Sequence, residues 1–221
     1  MRKQIVEQLQ RFREISGKTY RLAIVNWGGT LTCVENERKL LAPVQDKKDL
    51  ETILLDTLGF KDLVRSGLLN MQVIYHHPMD SSQMTDADRE PALKTLEQEY
   101  LAFDGFIGIH GTDSVARTAR YLHLTLPYLD PRELWLNNSS IHNWTKPFPI
   151  VSSQEPAALY DAGDFRVNVG SDAGMSIVTA MLLITNHRFG EVGVLVAREH
   201  AYRGTVYDKG SESHFNLFDG D

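Results

Sequence analysis

Residues 104–114 read Asp-Gly-Phe-Ile-Gly-Ile-His-Gly-Thr-Asp-Ser, and this stretch decides the fold. Gly105 to Ile109 is a short apolar run, and His110, Gly111, Thr112 and Asp113 follow it at once. A run of that length ending in glycine and hydroxyl residues reads as a buried strand that delivers a loop. Beyond the loop, Val115, Ala119 and Leu122 keep helical spacing, with Thr112 or Asp113 as the N-cap.

The same alternation recurs on both sides. Arg21 to Val25 runs into Gly28-Gly29, and Gln72 to Tyr75, Phe148 to Val151 and Val192 to Val196 are further short apolar runs followed by turn-forming or polar residues. Between them lie helical patterns: Ile5, Leu9 and Phe12 with Gly17 as a stop, and a Thr85/Asp88 capping box ahead of Leu93, Leu96 and Tyr100. Buried strands separated by helices specify a three-layer α/β fold, a mostly parallel sheet flanked by helices in the flavodoxin or Rossmann manner. Ligands in such folds sit at the carboxyl ends of the strands. The organisation expected is a leading amphipathic helix over 1–20 and one α/β domain over 21–221, with 127–149 as a long connection and no internal repeat.

Composition narrows the function. Hydrophobic residues are 42% and charged residues 24% of the chain, ordinary globular usage. A net charge of −6 without a basic cluster argues against a nucleic-acid partner. No apolar run approaches the roughly 20 residues of a membrane span, and the charges at Arg2, Lys3, Glu7, Arg11, Arg13 and Glu14 interrupt any signal-peptide core. With Cys33 as the single cysteine, no internal disulfide can form, and a cytoplasmic location is expected. Asn137, Asn138 and Asn143 then match the glycosylation pattern by chance. No cofactor is expected: there is neither a dinucleotide fingerprint nor a Walker sequence, Gly170 to Gly174 being the nearest approach, with Asp172 structural or helix-capping. No metal is expected either, because His76 and His77 are adjacent and project to opposite faces of a strand, and His110 reads as structural.

Three strand ends gather the residues of a site: Trp27-Gly28-Gly29-Thr30, Asp80-Ser81-Ser82, and His110-Gly111-Thr112-Asp113. Singly, each has an ordinary explanation: a tight turn, a turn or cap, an N-cap, and, for Lys146 before Pro147, a solvated loop lysine. Together, glycines that admit a ligand to the backbone and hydroxyl and carboxylate groups beyond them suit a small zwitterion or a nucleophilic hydroxyl.

These residues carry a family resemblance. The stretch from Asp104 to Ser114 with Thr118-Ala119 resembles the asparaginase signature, Trp27 to Leu31 is similar to that family's Thr-Gly-Gly-Thr-Ile loop, and Met79 to Thr85 to its substrate-binding turn. Lys146-Pro147 resembles the segment supplying the family's lysine, and Gly193-Val194 to Lys209 the strand and tail that follow. The resemblance implies an amidohydrolase of L-asparagine or a similar small amide, with Thr112, Asp113 and Lys146 as a buried triad in which lysine activates a threonine hydroxyl. It further implies that Asp113 binds the α-ammonium, that Asp80, Ser81, Gly29 and Gly111 form the rest of the substrate cradle, that backbone N–H groups stabilise the oxyanion of an acyl-enzyme pathway, and that the protein is a homodimer. Three departures stand beside it. Trp27 replaces the principal nucleophilic threonine, Leu40 and Leu41 stand where the lid supplies a tyrosine, and the chain ends at Asp221 before the family's second domain. Thr30 or Thr32 could take over as nucleophile, Thr112 could act alone, or the pocket could bind an amino acid without turnover.

Overall fold

Along β1 (Tyr20–Asn26) alternate residues serve two separate cores. Leu22 and Ile24 join one buried cluster; Ala23, Val25 and, one step past the strand, Trp27 join the other. β5 (Gly105–Ile109) divides likewise, Ile107 and Ile109 facing the first cluster and Phe106 the second, and β6 (Phe148–Val151) sends Val151 to the first and Phe148 and Ile150 to the second. A strand apolar on both faces must be covered on both, and helices provide the cover.

The computed structural model describes residues 2–35, 40–126, 146–161, 164–186, 192–197, 200–203, 208–209 and 218–219. With β4 (Leu69–His76), β9 (Val192–Ala197) and β10 (His200–Arg203), these strands form a six-stranded sheet in the order β10-β9-β6-β5-β1-β4. All pairings are parallel except that of the edge strand β10 with β9. The mostly parallel, three-layer α/β expectation holds, and the antiparallel edge is an addition to it. So are the small hairpins β2 (Cys33–Glu35) with β3 (Leu41–Pro43), β7 (Ala158–Asp161) with β8 (Asp164–Val167), and the pair Asp208–Lys209 with Phe218–Asp219. These segments of two to four residues, most of them carrying a charge, offer no apolar run of the kind that marks β6.

On the first face α1 (Arg2–Ser16) inserts Ile5 and Leu9 and packs against α6 (Ala173–Thr185), then stops at Gly17, whose φ of 69° only glycine adopts freely. α2 (Lys47–Thr52), its π-helical continuation Ile53–Thr57 and α3 (Lys61–Arg65) complete that layer. On the second face lie α4 (Asp86–Glu99) and α5 (Val115–Thr125), contributing Ala92, Leu93, Leu96 and Val115, Ala119, Leu122. The capping box of α4 is formed: the Thr85 amide and hydroxyl both donate to Asp88 Oδ2, at 2.7 and 2.6 Å. The N-cap of α5, by contrast, is Ser114 and not Thr112 or Asp113, which stay in the preceding turn. Most of the long connection, with Asn137, Asn138 and Asn143, lies outside the described residues. Among those described, no helix is long and apolar enough to cross a membrane.

One topological fact positions the site. β4 lies on one side of β1 and β5 on the other, so the connections leaving β1 and β5 diverge and leave a crevice at the carboxyl ends of those two strands.

Candidate functional site

Three loops meet at that crevice. Gly29, with φ of 92°, follows β1 so closely to the β5 loop that a Cβ on it would stand 2.4 Å from the backbone of Gly111. Gly111 is equally constrained, since a Cβ there would lie 2.3 Å from Ser81 Oγ. Only glycines permit this convergence. Ser81, buried in the turn after β4, ties the loops together: its hydroxyl donates to Asp113 Oδ2 at 3.4 Å and accepts from the Asp113 amide at 3.3 Å, while its carbonyl accepts from the Ser114 hydroxyl at 2.6 Å. Asp113 is exposed and Thr112 half-buried beside it. Gly29, Gly111, Thr112, Asp113 and Ser81 are therefore brought together.

Asp80 serves its own turn. Its carboxylate accepts from the Ser82 amide at 2.9 Å and the Ser82 hydroxyl at 2.8 Å, and these bonds, the amide's first, hold its pKa below the usual carboxylate value. Thr30 opens the turn after Gly29 and is half-buried; Thr32 is buried and donates to the Gly29 carbonyl at 3.2 Å. Trp27 is fully buried. It continues the alternation of β1 into the second core, its ring 5.7 Å from that of His110 and 6.3 Å from that of Tyr75. Its Nε1 has no acceptor among the described residues.

Lys146 requires a correction: it does not join Thr112 and Asp113. Its amine donates to the carbonyls of Tyr100 and, at 2.5 Å, Phe103, and lies 4.1 Å above the Tyr100 ring. Those carbonyls precede β5, whereas Thr112 follows it, and the five residues of β5 alone separate the two by roughly 16 Å. The physical reason is register. Lys146 stands two residues before β6, which runs parallel to β5, so it must lie at the amino edge of the sheet. Burial lowers its pKa to about 8, Arg21 adding to and Asp104 opposing the effect.

Beneath the loop runs a chain that the sequence reading did not anticipate. Arg89 of α4, with a side chain 0% exposed, donates from Nε to Thr118 Oγ1 at 2.7 Å and from Nη1 to Asp86 at 2.8 Å. Thr118 of α5 lies 2.7 Å from His110 Nε2, and His110 Nδ1 lies 2.8 Å from the Gly111 carbonyl. The Gly111 carbonyl can only accept, so the proton of the neutral His110 ring is on Nδ1, and the bare Nε2 takes the Thr118 hydroxyl proton while the Thr118 oxygen accepts from Arg89; Met84 Sδ, a weaker acceptor, lies 3.2 Å from Nε2 and 3.8 Å from Thr118 Oγ1. Complete burial acts in the same direction, pushing the His110 pKa down to about 4. The one available signal was a hydroxyl, Thr118, set in the apolar stripe of Val115, Ala119 and Leu122. Because the peptide bond is trans, a Gly111 carbonyl turned toward His110 turns the Thr112 N–H the opposite way. That N–H makes no backbone hydrogen bond among the described residues.

Asp172, expected to be structural, is so. It stands at the N-cap of α6 and its carboxylate accepts from the Gln154 amide at 3.0 Å, fixing the loop after β6. Among the described residues no group of three or more His, Cys, Asp and Glu could hold a metal ion.

Fold and edge together define an open α/β domain with a hydroxyl-rich crevice at its topological switch point. The family pattern described as "Asparaginase, N-terminal" matches residues 21–131, half of the chain, and the chain belongs to the asparaginase family. It is 29% identical over 140 residues to L-asparaginase 1 of Escherichia coli strain K12, an alignment covering 63% of this chain and 34% of that protein. The thermostable L-asparaginase from Thermococcus kodakarensis superposes with a TM-score of 0.65 at 18% identity, over 90% of this chain and 51% of that one. L-asparaginase I from Vibrio cholerae gives 0.64 at 23%, over 91% and 51%. The chain thus spans about a third of the curated relative and about half of these solved structures.

Proposed function

We propose that the crevice binds a small amino-acid amide, L-asparagine or a near relative, and hydrolyses its side-chain amide with Thr112 as nucleophile. The observation that carries this reading is the Ser81–Asp113 pair, which joins the β4 and β5 loops at the switch point beside Thr112. In it, Asp113 takes the α-ammonium, and Ser81 with the neighbouring amides takes the α-carboxylate. Thr112 Oγ1 attacks the amide carbon, the hydroxyl proton passes to the leaving nitrogen, ammonia departs, and water then cleaves the ester to release the acid. The outward Thr112 N–H is a donor for the oxygen that becomes negative. Lys146 has no part in these steps. The setting proposed is the cytoplasm, in keeping with the free, buried thiol of Cys33.

A second reading, binding without turnover, is favoured by two observations: the loop residue before Gly28 is a core tryptophan, and Lys146 stands at the other edge of the sheet. Ammonia release from L-asparagine and L-glutamine separates the two. Turnover that falls at least about 100-fold in Thr112→Ala supports the hydrolase. Heat stabilisation by L-aspartate without any ammonia supports the binder.

A further inference from the structure

We propose that Arg89, Thr118 and His110 form a buried positioning relay that sets the plane of the Gly111–Thr112 peptide and so aims the Thr112 N–H and hydroxyl at the crevice; for catalysis this rests on the amide-hydrolase reading above.

The relay is geometrically continuous, with links of 2.7, 2.7 and 2.8 Å from Arg89 through Thr118 and His110 to the Gly111 carbonyl. It is also directional. The acceptor-only Gly111 carbonyl fixes the proton on Nδ1 and leaves Nε2 to accept, and donor-only Arg89 at the other end leaves the Thr118 hydroxyl proton for Nε2, with Met84 Sδ the weaker acceptor beside it. Reversing any link would set two lone pairs or two protons against each other.

Its energetic cost argues for a task. Arg89 is fully buried with its guanidinium 6.0 Å from the Tyr121 ring centre, yet its carboxylate partner among the described residues, Asp86, is 70% exposed, and its Nη2 has no hydrogen-bond partner among them. A buried cation so incompletely paired is a poor source of stability, and local conflicts of this kind gather at sites where function overrides packing. Here the conflict lies one hydroxyl and one imidazole from Gly111, whose backbone packs against Gly29 and Ser81. A rotated Gly111–Thr112 peptide would turn the Thr112 N–H away from the edge and shift the hydroxyl beside it, without necessarily unfolding the loop. Arg89, Thr118 and His110 are thus positioning residues: they reach the reacting atoms through Gly111.

The test uses the full chain with Thr118→Val, which keeps shape and removes the hydroxyl, and Thr118→Ser, which keeps the hydroxyl. Ring 15N shifts report the His110 tautomer, and the amide cross-peak of Thr112 reports the peptide. The wild-type chain should show His110 as Nδ1–H at pH 7. Thr118→Val should give mixed tautomers, a displaced Thr112 amide and a kcat for L-asparagine lower by about 10-fold with KM within about 2-fold, since misaimed groups cost rate more than affinity; Thr118→Ser should restore all three. An Nε2–H tautomer in the wild type overturns the relay, and that measurement needs no variant to fold. A Thr112 amide unmoved in Thr118→Val while the tautomer changes also overturns it. Absence of turnover in the wild-type chain sinks the hydrolase reading instead, and the tautomer and amide readouts still decide this one.

Discussion

Trp27 shows how one side chain can change what a loop is able to do while leaving its path intact. The backbone around it keeps the convergence of Gly29 on Gly111, and the indole fills the second core above Gly108, with Ile150 and Phe148 as neighbours. Position 27 points inward because it extends the alternation of β1, so a hydroxyl there would also start from the core side. Trp27→Thr, which writes back the hydroxyl of the resembled loop, is therefore expected to destabilise the fold by about 3–5 kcal/mol through the cavity it opens, without raising amide turnover. Urea unfolding and ammonia release measure the two halves; a threonine variant of wild-type stability would show that the indole is not a core residue.

At the scale of elements, the legible and the illegible divide by length and by direction. The strand ends, α1, the α4 capping box and the parallel sheet were readable because each rests on a local pattern: alternation, a 3.6 period, or a box of two polar residues three apart. Thr112, Asp113, Ser81 and the two glycines were readable as a set because chemistry at strand ends collects on one edge of a parallel sheet. Lys146 was misplaced because the resemblance supplied a residue type and not its position along β6; register alone put it at the amino edge. The relay was unreadable, since it joins positions 89, 110 and 118 through three different elements. Lys146 now belongs to the segment that follows α4, where its amine donates to the Tyr100 and Phe103 carbonyls, as a lysine does near a helix C-terminus. Lys146→Met should lower stability by about 1–2 kcal/mol through those lost bonds and leave turnover within about 2-fold. A loss of turnover matching that of Thr112→Ala, measured on a variant that still folds, would return the lysine to the site.

For the whole molecule, the buried histidine and the exposed carboxylates make stability a function of pH with a definite sign. His110 is fully buried and neutral, its pKa lowered from 6.5 to about 4 chiefly by desolvation. In the unfolded chain the same imidazole takes up a proton as pH falls through 6.5, whereas in the folded chain it does not until about 4. Over that interval the unfolded state binds more protons, so unfolding becomes easier as pH drops. The displacement corresponds to about 3 kcal/mol at most by pH 4, with nothing lost above about pH 7. Asp80 and Asp88, whose hydrogen bonds with Ser82 and Thr85 lower their pKa values, add a loss of the same sign, but only as pH falls through and below the ordinary carboxylate value of 3.8. The two contributions therefore separate on the pH axis. Urea midpoints at pH 7.0, 5.5 and 4.5 should decline, and in His110→Gln, whose amide can still donate to Gly111, the decline across that interval should largely disappear while the more acidic one remains. A wild-type midpoint flat from pH 7.0 to 4.5 would mean that the imidazole is reached by water or pairs with a charge, and the Arg89–Thr118–His110 chain could not then be the dry, neutral connection described.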